Sequence, residues 1–414
     1  MMKRRRADNA HPEKTPTGMK QDAFHSRYRW VMLLLLWLLY IAFGLVARSI
    51  TPLVTPILDD LSMSYSQMGF ILGSWQLTYI LVALVAGTIL DRWGVQKSIF
   101  AGTLIIGLSA STRFYATGFW TMLIAIVLFG IGGPMISIGG PKTISEWFSG
   151  RGRGIAIGIY TTGPWIGGLT ALALTNSLVM PLVGGSWRLT FVCYGMLTFS
   201  IALLWLFLAR ASESTPRAVD ASIIEVFKYL IAVRNVQILL IMALFAFAIS
   251  HGFSNWLPKI FEENGMSASQ AGYAASIPIA SGIPAILFLP SLIAPRFRGQ
   301  AIALFALLSA VTLVLVMKTA GTPLYIALMV LGFVSSPFMP LMLLILMENP
   351  RVGTEYMGAA GGMFFCVAEI GGFSGPSIMG ILVDLTGTFM AGTIFLASLC
   401  IAIAIMTYFI KAER

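Results

Sequence analysis

Three side chains could do chemistry where the surrounding sequence is almost wholly apolar. Arg48 sits in GLVARSITP (44–52), His251 in FAISHGFSN (247–255), and Glu369 opens EIGGFSGP (369–376). A guanidinium is a permanent fork of donors suited to a carboxylate or phosphate. An imidazole titrates near neutrality, and a lone carboxylate in low dielectric can take up and release a proton. An Arg at bilayer depth costs at least ~2.5–3.5 kcal/mol on insertion scales, so Arg48 must face a partner or a polar cavity. Snorkelling does not relieve it, because Asp59, the next charge, lies about 15 Å further along a helix.

Helical spacing gathers further groups around these three. Tyr40, Gly44, Arg48, Thr51 and Thr55 form one stripe, and His251, Ser254 and Asn255 another. Trp75, Gln76 and Tyr79, with Tyr160 and Trp165, are placed to close the walls. The expected substrate-binding set is therefore Arg48, His251, Tyr40, Gln76, Tyr79, Tyr160, Trp165 and Asn255, with Glu369 and His251 as proton carriers. Lys142 and Glu146, one turn apart, read as a surface pair.

The elements that position these residues follow from composition. With 57% hydrophobic and 11% charged residues, the chain is an integral membrane protein. Apolar runs long enough to cross ~30 Å of hydrocarbon recur along it, and we count twelve. The residues before Trp30 are polar and basic, with no short apolar core and no small-residue cleavage site, so the first span is expected to be retained. The net charge of +10 does not indicate nucleic acid. Of 27 Lys and Arg, 21 fall on the side of the N-terminus and four (Arg113, Arg188, Lys259, Lys318) opposite, which predicts that both termini are cytoplasmic. Cys193, Cys366 and Cys400 lie in apolar spans and are expected to be buried packing thiols.

The chain also repeats itself. DDLSMSYSQMGF (59–70) returns as EENGMSASQAGY (262–273), an offset of 203 that keeps five of twelve residues. The same offset sets Arg48 opposite His251 and Pro134 opposite Pro337. Two six-span halves in parallel orientation result. The expected organisation is a tail (1–29), a first bundle (30–209), a linker (210–236), a second bundle (237–410) and a short C-terminus (411–414). Within the linker, Ile223, Ile224, Phe227, Leu230 and Ile231 repeat with helical spacing, which predicts an amphipathic helix on the cytoplasmic face.

With these residues in view the chain resembles the major facilitator superfamily. GTILDRWGVQK (87–97) is similar to its signature loop at Gly87, Asp91, Arg92, Gly94 and Lys97, while Val95 and Gln96 stand where basic residues are usual. PRFRGQ (295–300) is the repeat copy without its Asp; EWFSGRGRGIAIG (146–158) and ENPRVGTEYMGAAGG (348–362) resemble the later loops of each half. The resemblance implies an all-α polytopic fold of twelve helices in two pseudo-symmetric six-helix bundles, with the 87–97 loop as a gate. Arg48 followed by Pro56 resembles the anion-transporting branches, the anion:cation symporters and organophosphate:phosphate antiporters. There a first-span Arg binds the anion, and in the antiporters a basic residue of span seven, whose position His251 occupies here, is its counterpart. EIGGFSGP is similar to the cyanate permease-like group. GPWIGG (163–168) resembles the drug:proton antiporters, whose fourth-span Arg is absent from LIAIVLFGIGGPM (123–135).

No GxxxxGK[ST] loop, zinc-ligand spacing or nucleophile set is present, so an enzyme, a metal and a cofactor are not expected. The expectation is a secondary active transporter of a small organic anion, a monocarboxylate, by alternating access with proton symport. Its setting would be the inner membrane, as a monomer in a lipid bilayer, with the proton favoured over sodium and no nucleic-acid partner. An anion antiporter or exporter, or a drug:proton antiporter, is the alternative.

Overall fold

The computed structural model describes residues 16–210 and 223–410. Most of the expected tail, residues 211–222 of the linker and the C-terminal four residues lie outside it. Among the described residues eleven helical stretches are long and apolar enough to cross a membrane. In the first half these are span one (Tyr28–Leu61), two (Tyr65–Trp93), four (Phe119–Trp147), five (Gly152–Leu182) and six (Trp187–Leu208). In the second half they are seven (Arg234–Glu263), eight (Ala268–Leu292), nine (Pro295–Lys318), ten (Gly321–Met347), eleven (Tyr356–Thr386) and twelve (Phe389–Thr407). Span three is the helix Val95–Thr112, less apolar because it opens on Gln96 and Lys97, and it packs against spans four and six.

The repeated dodecamer has a physical purpose. Ser64 and Gln67 form a capping box at the start of span two, and Ser267 and Gln270 form the same box at the start of span eight. Packing repeats as well: span one lies on five, two on four and three on six, and their counterparts pair as seven on eleven, eight on ten and nine on twelve. Across the halves span two packs on eleven and span five on eight, which are symmetry-equivalent contacts. Pro134 and Pro337 break the symmetry, since the helix through Pro134 is continuous whereas span ten is interrupted between Ser335 and Phe338.

Span one is not one helix. Its first part ends at Arg48 and is followed by a 3-10 turn, Thr51–Leu53, and a short helix, Val54–Leu61. Pro52 has no N–H to offer the carbonyl four residues earlier, that of Arg48, so the ladder stops there. Arg48 is thereby placed at a helix C-terminus, where the partial negative charge of free carbonyls favours a cation. Arg113, counted above as an outer loop residue, is instead 1% exposed and braces this break. Its Nη1 donates to Ser49 Oγ at 2.9 Å and to the Val46 carbonyl at 3.5 Å, and its guanidinium lies 4.9 Å from the Phe191 ring centre.

Contacts between the halves gather at the end where span two begins. Asp384 accepts hydrogen bonds from the backbone N–H of Tyr65 (3.1 Å) and Ser66 (2.8 Å) and from the Ser66 hydroxyl, so it caps a helix of the other half. The Tyr65 hydroxyl donates to Glu263 at 2.7 Å, the Thr55 hydroxyl donates to Glu262, and Asn176 Nδ2 donates to the Ala268 carbonyl at 3.3 Å. Glycines permit the approach: a Cβ on Gly73 would lie 2.5 Å from the Phe373 carbonyl oxygen. Toward the other end of span two, Leu81, Leu84 and Val85 are exposed.

The helix Ile223–Ile231 falls within the expected amphipathic segment; Leu230 is buried, and Tyr229 lies 5.3 Å from the ring of Tyr356 in span eleven. The cysteines divide, with Cys400 buried, Cys366 half-buried and Cys193 exposed. The last departs from expectation because its position on span six faces out of the bundle, where no neighbouring helix covers it.

Candidate functional site

A cavity of about 500 Å³ opens between the halves, within the range of small-molecule sites. Tyr40, Arg48, Tyr79, Trp165, His251 and Glu369 all line it, together with Phe43, Trp75, Phe247, Phe253, Phe338 and Met339. Residues 203 positions apart in sequence thus meet across one space.

Arg48 is oriented by the opposite half. Its Nη1 donates to Ser254 Oγ at 2.8 Å and to Asn255 Oδ1 at 2.7 Å, and Asn255 Oδ1 also accepts from the Thr51 hydroxyl at 3.2 Å. Among the described residues no carboxylate pairs with Arg48. The cation is therefore anchored by neutral groups and keeps its charge for whatever enters the cavity.

His251 stands one turn before those anchors, its ring 5.1 Å from Phe247, with a buried Nδ1 that has no partner. Across the cavity Glu369 Oε2 is also buried without a partner, as are both amide atoms of Gln76. These two groups come from different halves and converge on Gly372, where an added Cβ would lie 3.2 Å from Gln76 Nε2 and 3.2 Å from Glu369 Oε2. Unpaired buried polar atoms are rare, and here two such groups, one from each half, stand together beside Gly372.

Not every predicted wall residue reaches the cavity. Gln76, Tyr160 and Asn255 are buried behind its surface. Tyr160 donates to the Ile136 carbonyl at 2.7 Å and stacks on Tyr40 with ring centres 4.3 Å apart, so it stiffens the wall. Asn255 holds Arg48, and Thr55, expected on the binding stripe, belongs to the contact at the closed end because the break in span one turns it away. The expected pair of Lys142 with Glu146 does not form; Lys142 binds Asp91. Asp91, Arg92, Gly94, Lys97 and Gly87 are exposed near this ion pair, and Gly94 has φ +83°, a conformation that glycine adopts without strain.

Residues 36–376 match the sequence model of the Major Facilitator Superfamily. The chain belongs to that superfamily. As a member of it, the chain is a multi-pass membrane transporter and not an enzyme. Among curated relatives, the hexuronate transporter of Bacillus subtilis (strain 168) is 26% identical over 375 residues, covering 84% of this chain and 87% of the relative. A probable galactarate/D-glucarate transporter of Escherichia coli (strain K12) is 24% identical over 439 residues, covering 94% and 95%. Of solved structures, a bacterial homologue of the human lysosomal transporter Spinster, inward-facing and unoccupied, superposes with a TM-score of 0.75 at 19% identity, covering 93% and 96%. The E. coli fucose:proton symporter superposes with a TM-score of 0.63 at 16% identity, covering 93% and 100%. These last two likenesses speak to the fold of this superfamily member.

Sequence reasoning missed Arg113 and the break at Arg48. Pro52 carried a signal for the break, four residues after Arg48, where a missing N–H must interrupt the ladder.

Proposed function

We propose that this chain is a secondary active transporter that carries a small organic anion, a monocarboxylate, by alternating access with proton symport. The observation that supports it most is Arg48: a cation in the central cavity, held across the halves by Ser254 and Asn255 and neutralised by no described carboxylate. A substrate carboxylate completes this arrangement, and its charge offsets what would otherwise be a standing penalty. The curated relatives, named for hexuronate and for galactarate/D-glucarate, favour the coarser part of this reading, an organic anion. Glu369 and His251 serve as the proton carriers. The bundles 30–209 and 237–410 rock about the cavity, tethered by 210–236, and the latched end is the outer one. On this reading the termini are cytoplasmic, the membrane is the inner one and the working unit is a monomer.

The test is a thermal-shift panel of carboxylates, phosphates and inorganic anions on purified protein, followed by uptake into proteoliposomes. At least one carboxylate should raise Tm, and Arg48→Gln should weaken that ligand on the order of a hundredfold, the cost of removing one partner of a desolvated charge pair. A stabilising ligand whose affinity survives Arg48→Gln in a monodisperse protein would contradict the site. Uptake that requires an internal counter-anion would make the cycle an antiport.

A further inference from the structure

Spans two and eleven, one from each half, touch along a seam that glycines make narrow. A Cβ on Gly380 would lie 2.2 Å from the Tyr65 carbonyl oxygen, one on Gly69 2.4 Å from that of Pro376 and one on Gly73 2.5 Å from that of Phe373. Each contact falls one turn further along span two, and the next turn brings Gln76 against Gly372. There the seam ends, since Tyr79 and Glu369, a turn beyond, line the cavity.

Gln76 is 0% exposed, and neither polar atom of its amide has a partner. Glu369 borders the cavity, yet its Oε2 is buried without a partner at the end of the seam. Gly372 leaves these two side chains room to meet, because a Cβ there would stand 3.2 Å from Gln76 Nε2 and 3.2 Å from Glu369 Oε2. Other titratable groups face this carboxyl: Tyr40 of span one, Tyr79 of span two, Cys366 one turn away on its own helix, and Arg48 and His251 across the cavity. Among the described residues none of them hydrogen-bonds to it, and the Tyr79 hydroxyl is engaged with Ser137. Of the remaining helices on span eleven, Phe389–Thr407 carries Cys400 as its one titratable residue, Phe338–Met347 carries none, and Ile223–Ile231 meets span eleven several turns away at Tyr356.

We infer that Gln76 is a positioning residue for the proton on Glu369. With spans two and eleven in contact, its Nε2 is placed to donate to the ionised carboxylate, and a hydrogen bond to the charged form favours that form. This conformation therefore releases the proton, which passes from the carboxyl to water in the cavity. When the seam parts, the donor leaves with the other half and the carboxyl keeps its proton. The inference rests on the proton-carrier reading of Glu369 and adds what ties that proton to the movement of the halves.

Infrared titration of the purified full chain in lipid bilayers tests it without a substrate. The carboxylic C=O band that Glu369→Gln abolishes reports that side chain. The pH at which this band is half lost should rise by about one unit in Gln76→Met, which removes the donor and keeps the length of the side chain. Gln76→Glu, closer still in shape, should raise it too, since two adjacent carboxylates resist ionising together. Asp384→Ala, which frees the rim end of the same seam, should raise it in the parent chain but not in Gln76→Met. A half-loss pH that ignores both Gln76 variants overturns the inference and leaves Glu369 as the carrier. One that responds to Gln76 but not to Asp384→Ala overturns the tie to opening of the halves. If Glu369→Gln abolishes no band, or still accumulates fully under a pH gradient, the carrier reading fails and takes the inference with it.

Discussion

At the scale of single residues, the decisive features are groups left unmatched. Arg48 has neutral anchors and no described counter-ion; Glu369 Oε2, His251 Nδ1 and the Gln76 amide are buried without partners. Folding alone does not favour such arrangements, because each orphaned polar atom costs about 1–3 kcal/mol. In the function proposed above, these groups are the ones that a proton or an anion would satisfy. Glu369→Gln removes the exchangeable proton and keeps the shape. The expected result in proteoliposomes is loss of accumulation driven by a pH gradient, with exchange of substrate across the membrane retained. Full gradient-driven accumulation by that variant would remove Glu369 from the relay. Each of these three residues was legible in sequence as a polar atom in an apolar run. Ser254 and Asn255 were legible as neighbours of His251 on one stripe, but that they would hold Arg48 was not, since that contact exists only when two halves are brought together.

At the scale of elements, the break in span one sets where Arg48 sits. The absent N–H of Pro52 frees the Arg48 carbonyl, and the guanidinium gains a place at the negative end of a helix. Arg113, in the turn that follows span three, closes the gap by donating to Ser49 and to the Val46 carbonyl. Arg113→Leu removes a charged donor from Ser49 Oγ, which keeps its own bond to the Val46 carbonyl, at a cost of about 1–3 kcal/mol. The variant should therefore melt several degrees lower in detergent and bind the substrate anion more weakly, because the turn that aims Arg48 is no longer braced. An unchanged Tm with unchanged anion affinity would show that the turn stands without it. Sequence periodicity missed this brace for a physical reason: an Arg beside a loop is normally solvated, and only the packing of spans one, three and six around Arg113 takes it out of water.

At the scale of the whole molecule, the two halves touch along one end and part along the other. Asp384 capping span two, Tyr65 on Glu263 and Thr55 on Glu262 tie that end together, over glycines that let spans two and eleven approach. These polar ties lie among exposed side chains at the rim, where water competes for each hydrogen bond. Asp384→Ala removes a carboxylate from two backbone donors and one hydroxyl, which biases the protein toward opening at this end. Spin labels at the adjoining ends of spans two and eleven should show a new, longer distance population by double electron–electron resonance. A distribution identical to that of the parent protein would place the latch elsewhere.

Composition, spacing and the 203-residue repeat were enough to read an all-helical membrane protein of two related halves, with Arg48 and His251 at repeat-equivalent positions. These properties are local or periodic: how far an apolar run extends, where a helix is capped, how often a pattern returns. Which groups meet is a different kind of fact. That Arg48 ends a helix and is held by the other half, that Tyr160 and Asn255 support the cavity from behind its wall, and that Lys142 turns to Asp91 instead of Glu146 depend on helices distant in sequence. Only the packing of those helices sets their distances and decides which polar atoms are matched and which stay free to act.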